Sequence, residues 1–174
     1  MKFDSTPLAA QAVLATPLGP MLAAATARGL AGLWFDEQRH HPGAIEVPID
    51  AGQRWIALTA AQLNEYFDGR RQHFDIPLDA TGTAFQQAVW QALLALPLGV
   101  TSSYGAIAQA IGKPAAVRAV GAAVGRNPIS IIVPCHRVLG RDGSLTGYAG
   151  GLDRKTALLR HEARPVPTAL ERAA

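Results

Sequence analysis

The sequence predicts a mixed α/β (α+β) chain: an N-terminal antiparallel sheet with one helix, then a mostly helical part containing a helix-turn-helix. Three observations carry that expectation. Short apolar runs separated by turn residues fill the first 35 positions, which suits strands. The apolar spacing becomes helical after Asp79-Ala-Thr-Gly-Thr83. Two short helical stretches then flank Gly112-Lys113-Pro114, the tight connection a helix-turn-helix uses. On this basis residues 1–80 form an N-terminal α/β domain, 81–165 a second domain and 166–174 a flexible tail.

Taken in order, Ala10–Ala15, Met21–Ala27 and Leu30–Phe35 read as strands of an antiparallel meander, divided by Pro17-Leu-Gly-Pro20 and Arg28-Gly29. Arg54–Phe67 places Trp55, Leu58, Leu63, Tyr66 and Phe67 near helical spacing and stops at Asp68-Gly69. Phe74–Leu78 reads as one more short strand. Phe85, Val89, Leu93 and Leu96 form a helical stripe up to Pro97. Tyr104–Ile111 and Ala115–Val124 are the paired helices. Ser103 caps the first, Pro114 opens the second, and Gly125 ends it in the left-handed conformation. Leu152–His161 is the last helix.

Composition narrows the class. Hydrophobic residues make up 49% and charged ones 17%, which excludes a disordered chain. A single Cys excludes an intramolecular disulfide framework and a Cys₄ or Cys₂His₂ zinc site. No apolar run approaches the roughly 18 residues of a membrane helix, and the N-terminal stretch lacks a signal-peptide pattern. A cytoplasmic protein without membrane contact is the expectation. The net charge of +3 is unevenly spread: residues 1–99 carry six basic and nine acidic side chains, residues 100–174 ten and four. Thirteen of the 16 cations are Arg, whose planar fork suits phosphates and base edges. A basic half points to a polyanionic partner, while a coding bias towards Arg and Ala explains it equally well.

In the second paired helix Val117, Val120, Gly121 and Val124 share one face and should meet the core. The opposite stripe is Ala115, Arg118, Ala119 and Ala122, with Arg126 just beyond the helix. Long polar side chains that read a major groove are missing there. A bald face with one arginine suits a close, sequence-tolerant approach to a duplex with Arg118 inserted. The alternative is an Ala-rich helix packed within the protein, which these residues alone favour.

Asn127-Pro-Ile-Ser-Ile-Ile-Val-Pro-Cys-His-Arg-Val138 is the most informative stretch. Ile129 and Ile131–Val133 suggest a buried extended segment that delivers Cys135, His136 and Arg137 after Pro134. A free Cys is usually a small buried hydrophobe. Cations on its C-terminal side instead suit a reactive thiol whose pKa they lower. His136 could take the thiol proton, through a local turn or a bridging water. Glu162 could orient His136, although pairing with a surface Arg is the simpler reading of its spacing. Gly147-Tyr-Ala-Gly-Gly151 is either a pocket-lining loop or a plain connector, and it matches no phosphate-loop pattern.

Together, Pro134-Cys-His-Arg-Val138, Asn127-Pro128, Arg118-Ala-Val-Gly121, Ser103-Tyr104 and Tyr148-Ala-Gly-Gly151 resemble the O6-alkylguanine-DNA alkyltransferases, or methylated-DNA–protein-cysteine methyltransferases. The resemblance runs from about Gly82 to Glu162, and more loosely over the first 80 residues, where it implies a ribonuclease-H-like sheet. It implies DNA repair by irreversible, single-turnover transfer of an alkyl group from O6-alkylguanine to Cys135, and leaves O4-alkylthymine open as a second substrate. It implies no cofactor and no metal, double-stranded DNA bound through the minor groove largely without sequence preference, and a monomer. Residue by residue, Cys135 is the acceptor, His136 activates it through a water, and Glu162 orients His136. Asn127 braces the loop, Arg118 fills the space of the flipped nucleotide, and Tyr104 helps flip it and protonates N3 of guanine. Carbonyls of Cys135 and Val138 accept from the guanine amino group, and N–H groups near Tyr148 and Ala149 face O6. Ser130 and Gly150 complete the pocket, and Ala115, Ala119, Ala122 and Arg126 complete the DNA face. Ala149 stands where some relatives have Ser, so a hydroxyl contact is lost and a main-chain donor kept.

Two rivals follow from the same residues. A cysteine hydrolase would release product repeatedly, whereas the alkyltransferase becomes its own product. A DNA-binding sensor would keep every activity as Cys135→Ala.

Overall fold

The computed structural model describes residues 7–163. The expected tail at 166–174 lies outside the described residues. Strands β1 (Leu8–Leu14), β2 (Met21–Thr26) and β3 (Leu30–Phe35) form an antiparallel meander in the order β1-β2-β3. Helix α1 (Arg54–Phe67) packs on this sheet through Ile56, Thr59, Leu63 and Tyr66. It is capped by Gln53, whose side chain accepts from the N–H groups of Trp55 and Ile56, and Gly69 follows its end at φ 72°. Trp55, Leu58 and Phe67, expected on the inner stripe, are only partly buried.

The expected strand at Phe74–Leu78 does not form. That segment meets β3 at one bridge, Leu30 with Leu78, where Leu30 N donates to Pro77 O and Asp79 N donates to Leu30 O. Pro77 has no N–H to extend the ladder. Further along β3, Leu33 bridges Ile129: Leu33 N donates to Pro128 O and Ser130 N to Leu33 O, each at 2.8 Å. The β3 edge therefore carries the segment that leads to Cys135.

Helix α2 (Ala84–Leu94) opens with a capping box between Thr83 and Gln86 and buries Val89, Trp90 and Leu93. The Trp90 indole donates to Ala123 O at 3.0 Å, tying α2 to the helix pair. Strand β4 (Ser102–Ser103) leads into α3 (Tyr104–Ala110), capped by the Ser103 hydroxyl. The α3 chain reverses at Gly112 (φ 68°), where Lys113 N donates back to Ala108 O. Then comes α4 (Val117–Gly125).

Three local expectations change in this helix pair. Pro114 lies in the connecting turn, and α4 starts after Ala116, without a side-chain cap. Gly125 is the last helical residue with an ordinary φ, because Arg126 caps the helix by donating to Ala122, Ala123 and Val124 carbonyls. Val117 is 40% exposed, and the buried stripe is Val120, Ala123 and Val124. The outer face holds: Ala115, Arg118, Ala119, Ala122 and Arg126 are all exposed. Strand β5 (Val138–Leu139) pairs in parallel with β4, and α5 (Leu152–Glu162) closes the described chain. Among the described residues no helix is long and apolar enough to cross a membrane.

Candidate active site

The stretch before Cys135 is buried, but it is a tight turn rather than an extended segment. Ile132 N donates to Ser130 O and Val133 N to Ile129 O, with Ile131 at φ 71°. A β-branched residue in the left-handed region costs about 1–3 kcal/mol, so the surroundings must enforce it. Asn127 supplies the restraint. Its Nδ2 donates to Ile129 O (3.2 Å), Val133 O (2.8 Å) and Cys135 Sγ (3.0 Å), while its Oδ1 accepts from Ile129 N at 3.0 Å. One buried amide thus holds both ends of the turn and the sulfur.

Cys135–Arg137 form a single 3₁₀ turn, so neighbouring side chains diverge. Cys135 faces a cavity. His136 is wholly buried behind it, with Nε2 2.7 Å from Glu162 Oε1. Arg137 is also buried: its Nε donates to Glu162 Oε2 (2.8 Å), its Nη2 to Oε1 (2.9 Å) and its Nη1 to Leu96 O (2.6 Å). The Tyr66 hydroxyl, from α1, donates to Glu162 Oε1 at 2.8 Å. Glu162 therefore pairs with His136 and Arg137 in the interior, not with a surface Arg.

These contacts fix protonation states. Burial would raise the Glu162 carboxyl, but hydrogen bonds and charge from His136 and Arg137 overcome it and hold Glu162 well below the usual carboxylate range. An ionised Glu162 requires the proton of neutral His136 on Nε2, leaving Nδ1 as an acceptor. His136 Nδ1 is buried without a protein partner. Burial lowers the His136 pKa, partly opposed by Glu162. Cys135 departs from the sequence expectation: burial pushes its thiol up to about 11, despite Asn127 and the nearby Lys155 charge. The neighbouring Arg137 does not lower it, because that guanidinium turns away to Glu162. The resting sulfur is a thiol.

The cavity in front of Cys135 has a volume of about 360 Å³ and is lined by residues between Arg39 and Ala149. Tyr104, Tyr148 and Ala149 line it, as do Ala122 and Arg126, which the sequence placed on the DNA face, and Arg39 and His40 from the loop after β3. Tyr104 stands at the rim, its hydroxyl 3.5 Å from Gly147 O. Asn127, His136 and Glu162 lie behind Cys135. Ser130 is buried outside the lining, donating to Gln38 Oε1 at 3.0 Å. Gly150 is packed under the loop: a Cβ there would lie 2.7 Å from the Tyr148 ring and 3.1 Å from Phe35. Val138 is buried, and its carbonyl already accepts from Lys155 Nζ at 2.6 Å. Arg118, Ala115 and Ala119 lie outside the lining.

Four further residues support the site without having stood out in the sequence. Lys155 is fully buried and holds Val138 O and Thr146 O, at 2.6 and 2.7 Å, tying β5 to the start of the 147–151 loop. Burial lowers its pKa. Arg39 N donates to Ala149 O at 2.9 Å, joining the N-terminal loop to the 147–151 loop. Tyr66 and Gln38 reach the site from more than 90 residues away in sequence. For Lys155, a lone cation on the apolar side of a helix was the available signal.

Known proteins resemble this chain in sequence and fold. A model of the 6-O-methylguanine DNA methyltransferase DNA-binding domain matches residues 84–164, and its ribonuclease-like domain matches residues 10–80. The methylated-DNA–protein-cysteine methyltransferase of Mycobacterium bovis is 50% identical over 155 residues, covering 89% of this chain and 93% of that protein. The inducible Bacillus subtilis protein of the same name is 56% identical over 127 residues, covering 73% and 69%. The crystal structure of Mycobacterium tuberculosis OGT in complex with DNA superposes with a TM-score of 0.83 at 48% identity, covering 88% and 92%. On these grounds the chain belongs to the 6-O-methylguanine DNA methyltransferase family, the methylated-DNA–protein-cysteine methyltransferases.

Proposed function

We propose that this protein repairs double-stranded DNA by moving an alkyl group from O6 of guanine onto its own Cys135, once per molecule. The carrying observation is the thiol of Cys135, held by Asn127 at 3.0 Å, open to the cavity and backed by His136 and Glu162 at 2.7 Å. An alkyl group on O6 lies inside the base stack, so the nucleotide must leave the duplex, at a cost of a few kcal/mol. Arg118 on the exposed face of α4 takes the vacated space, and the small residues Ala115, Ala119 and Ala122 let the minor groove approach. Arg126 faces the backbone at the pocket mouth.

Inside the pocket, the Cys135 proton passes through a water to His136 Nδ1, while Glu162 holds the resulting imidazolium. Transient ionisation against a thiol near 11 is the task of that pair. The sulfur attacks the alkyl carbon in line, the S–C bond forms as the C–O6 bond breaks, and Tyr104 protonates N3 of the departing guanine. The carbonyls of Cys135 and Val138 and the N–H groups near Tyr148 and Ala149 orient the base, with Ser130 and Gly150 shaping the wall behind. The same displacement serves O4-alkylthymine. A thioether offers no leaving group for a second cycle, and the sole Cys leaves no resolving thiol. No cofactor enters this chemistry. We assign recognition and chemistry to residues 81–165, support to 1–80, and action to a monomer in the cytoplasm.

The test is a duplex oligonucleotide carrying O6-methylguanine, incubated with equimolar protein and followed by peptide masses. One methyl group on the Cys135 peptide and no second turnover is the expected result. An unmodified Cys135 peptide after base repair would refute the reading.

A further inference from the structure

Tyr66 belongs to the N-terminal part of the chain, yet its phenol reaches the carboxylate behind the reactive cysteine. It is locked in place on every side. Its backbone oxygen lies 2.7 Å from His161 Nε2, and its ring packs against Phe67, Phe74 and His161 at 5.1, 5.5 and 4.8 Å. The ends of α1 and α5 are thus joined through neighbouring residues, His161 to the Tyr66 backbone and Glu162 to the Tyr66 hydroxyl. A Phe would fill the same space. What the hydroxyl adds is a 2.8 Å hydrogen bond to Glu162 Oε1, the oxygen that also faces His136 Nε2.

Other charged and titratable groups surround this pair. Arg137 donates to both Glu162 oxygens from the 3₁₀ turn, Lys155 faces His136 from α5, and Tyr148 and Cys135 close the pocket side. Removing either cation changes the net charge of the interior. Tyr66 is the neutral donor, burial and Glu162 together pushing its phenol far above its ordinary range. Its contribution can be removed without stranding an ion.

We propose, building on the alkyl transfer read above, that Tyr66 is a positioning residue of that reaction. By occupying Glu162 Oε1 it limits how strongly the carboxylate draws on the His136 proton, and so sets the basicity of Nδ1. Without the phenol, Oε1 keeps two of its three donors and more of its negative charge. The imidazole becomes more basic, and the coupled Cys135–His136 pair holds its proton to higher pH.

The experiment compares wild type with Tyr66→Phe across pH in two reactions: carbamidomethylation of the sole Cys by iodoacetamide, and single-turnover methyl transfer from O6-methylguanine DNA. Thermal melting checks folding. The acid limb of both profiles should move to higher pH by about half a unit, the rate on the plateau above it rising by up to about threefold while the rate well below it stays near wild type. Site-specific 3-fluorotyrosine at position 66, a stronger donor that keeps the ring and the bond, should move the limb the other way. Profiles that superimpose on wild type overturn the proposal, as does a lowered melting point without a pH shift. If wild type never methylates Cys135 while the iodoacetamide profiles separate as described, the alkyl-transfer reading fails and Tyr66 control of the thiol stands.

Discussion

Asn127 Nδ2 sits 3.0 Å from Cys135 Sγ while also donating to the carbonyls of Ile129 and Val133. The amide therefore couples the shape of the turn to the ionisation of the sulfur. It is a hydrogen-bond donor to the thiolate and lowers a pKa that burial raises.

Asn127→Ala should lose both effects. The Ile129 N–H would stay unpaired at about 1–3 kcal/mol, while the Ile129 and Val133 carbonyls would keep only their backbone donors, Val133 N and Cys135 N, partly offset by relaxation of the strained Ile131. We expect a loss of about 3 kcal/mol in urea unfolding, together with slower iodoacetamide labelling of Cys135 at pH 8. Normal labelling in a destabilised protein would limit Asn127 to a structural role.

Glu162→Gln removes the charge that His136 and Arg137 share. The buried Arg137 guanidinium would face a neutral amide, and breaking such a pair costs about 3–5 kcal/mol. His136 would lose the partner that stabilises its imidazolium, so methyl transfer should slow by about 10²-fold. Affinity for undamaged duplex should not change, since Glu162 lies behind the cysteine. Stopped-flow transfer and a fluorescence binding titration on the same preparation separate these outcomes.

Stability should fall on both sides of neutrality, for different residues. His136 and Glu162 have lowered folded pKa values, so the unfolded chain binds more protons between each folded value and the ordinary one. Stability is complete above those ordinary values and declines as pH drops below about 6.5 for His136 and about 4.5 for Glu162. Cys135 has the opposite sign. Its folded pKa of about 11 lies above the ordinary value of 9.0, so its contribution is complete below pH 9.0 and is lost as pH rises through 11. Thermal melts from pH 4 to 11 should show both slopes, and Cys135→Ala should flatten the alkaline one by up to about 3 kcal/mol. An unchanged alkaline slope in that variant would assign it to another group.

The parts that sequence made legible are those with local causes. Arg54–Phe67 carries its own stop at Asp68-Gly69, and Leu30–Phe35 is bounded by turn residues, so both elements have the expected limits. The Pro134-Cys-His-Arg motif is readable because it is short-range, whereas the α4 residues alone favour a face packed within the protein, and the structure leaves that face exposed. The rest depends on contacts across the chain. Phe74–Leu78 fails as a strand because Pro77 cannot donate, yet Pro77 and Pro128 both supply carbonyls to the open edge of β3. Arg137 reads as a cation for the thiol until the turn aims it at Glu162. The Tyr66 and Gln38 contacts span 96 and 92 residues, which no local pattern encodes.

Arg118→Ala offers the sharpest separation of binding from chemistry. Arg118 is exposed on α4 and does not line the cavity in front of Cys135. If it fills the space of an extruded nucleotide, its loss penalises only substrates that must be extruded. Repair of O6-methylguanine in duplex DNA should slow by about 10- to 100-fold, the equivalent of about 1.4–2.8 kcal/mol of lost stabilisation. Reaction with the free base O6-methylguanine, which is never stacked, should stay within about twofold of wild type. A mismatched thymine opposite the lesion weakens pairing and should restore part of the duplex rate. Equal losses on duplex and free base would instead place Arg118 in pocket chemistry or folding, and the vacated-space role would be withdrawn.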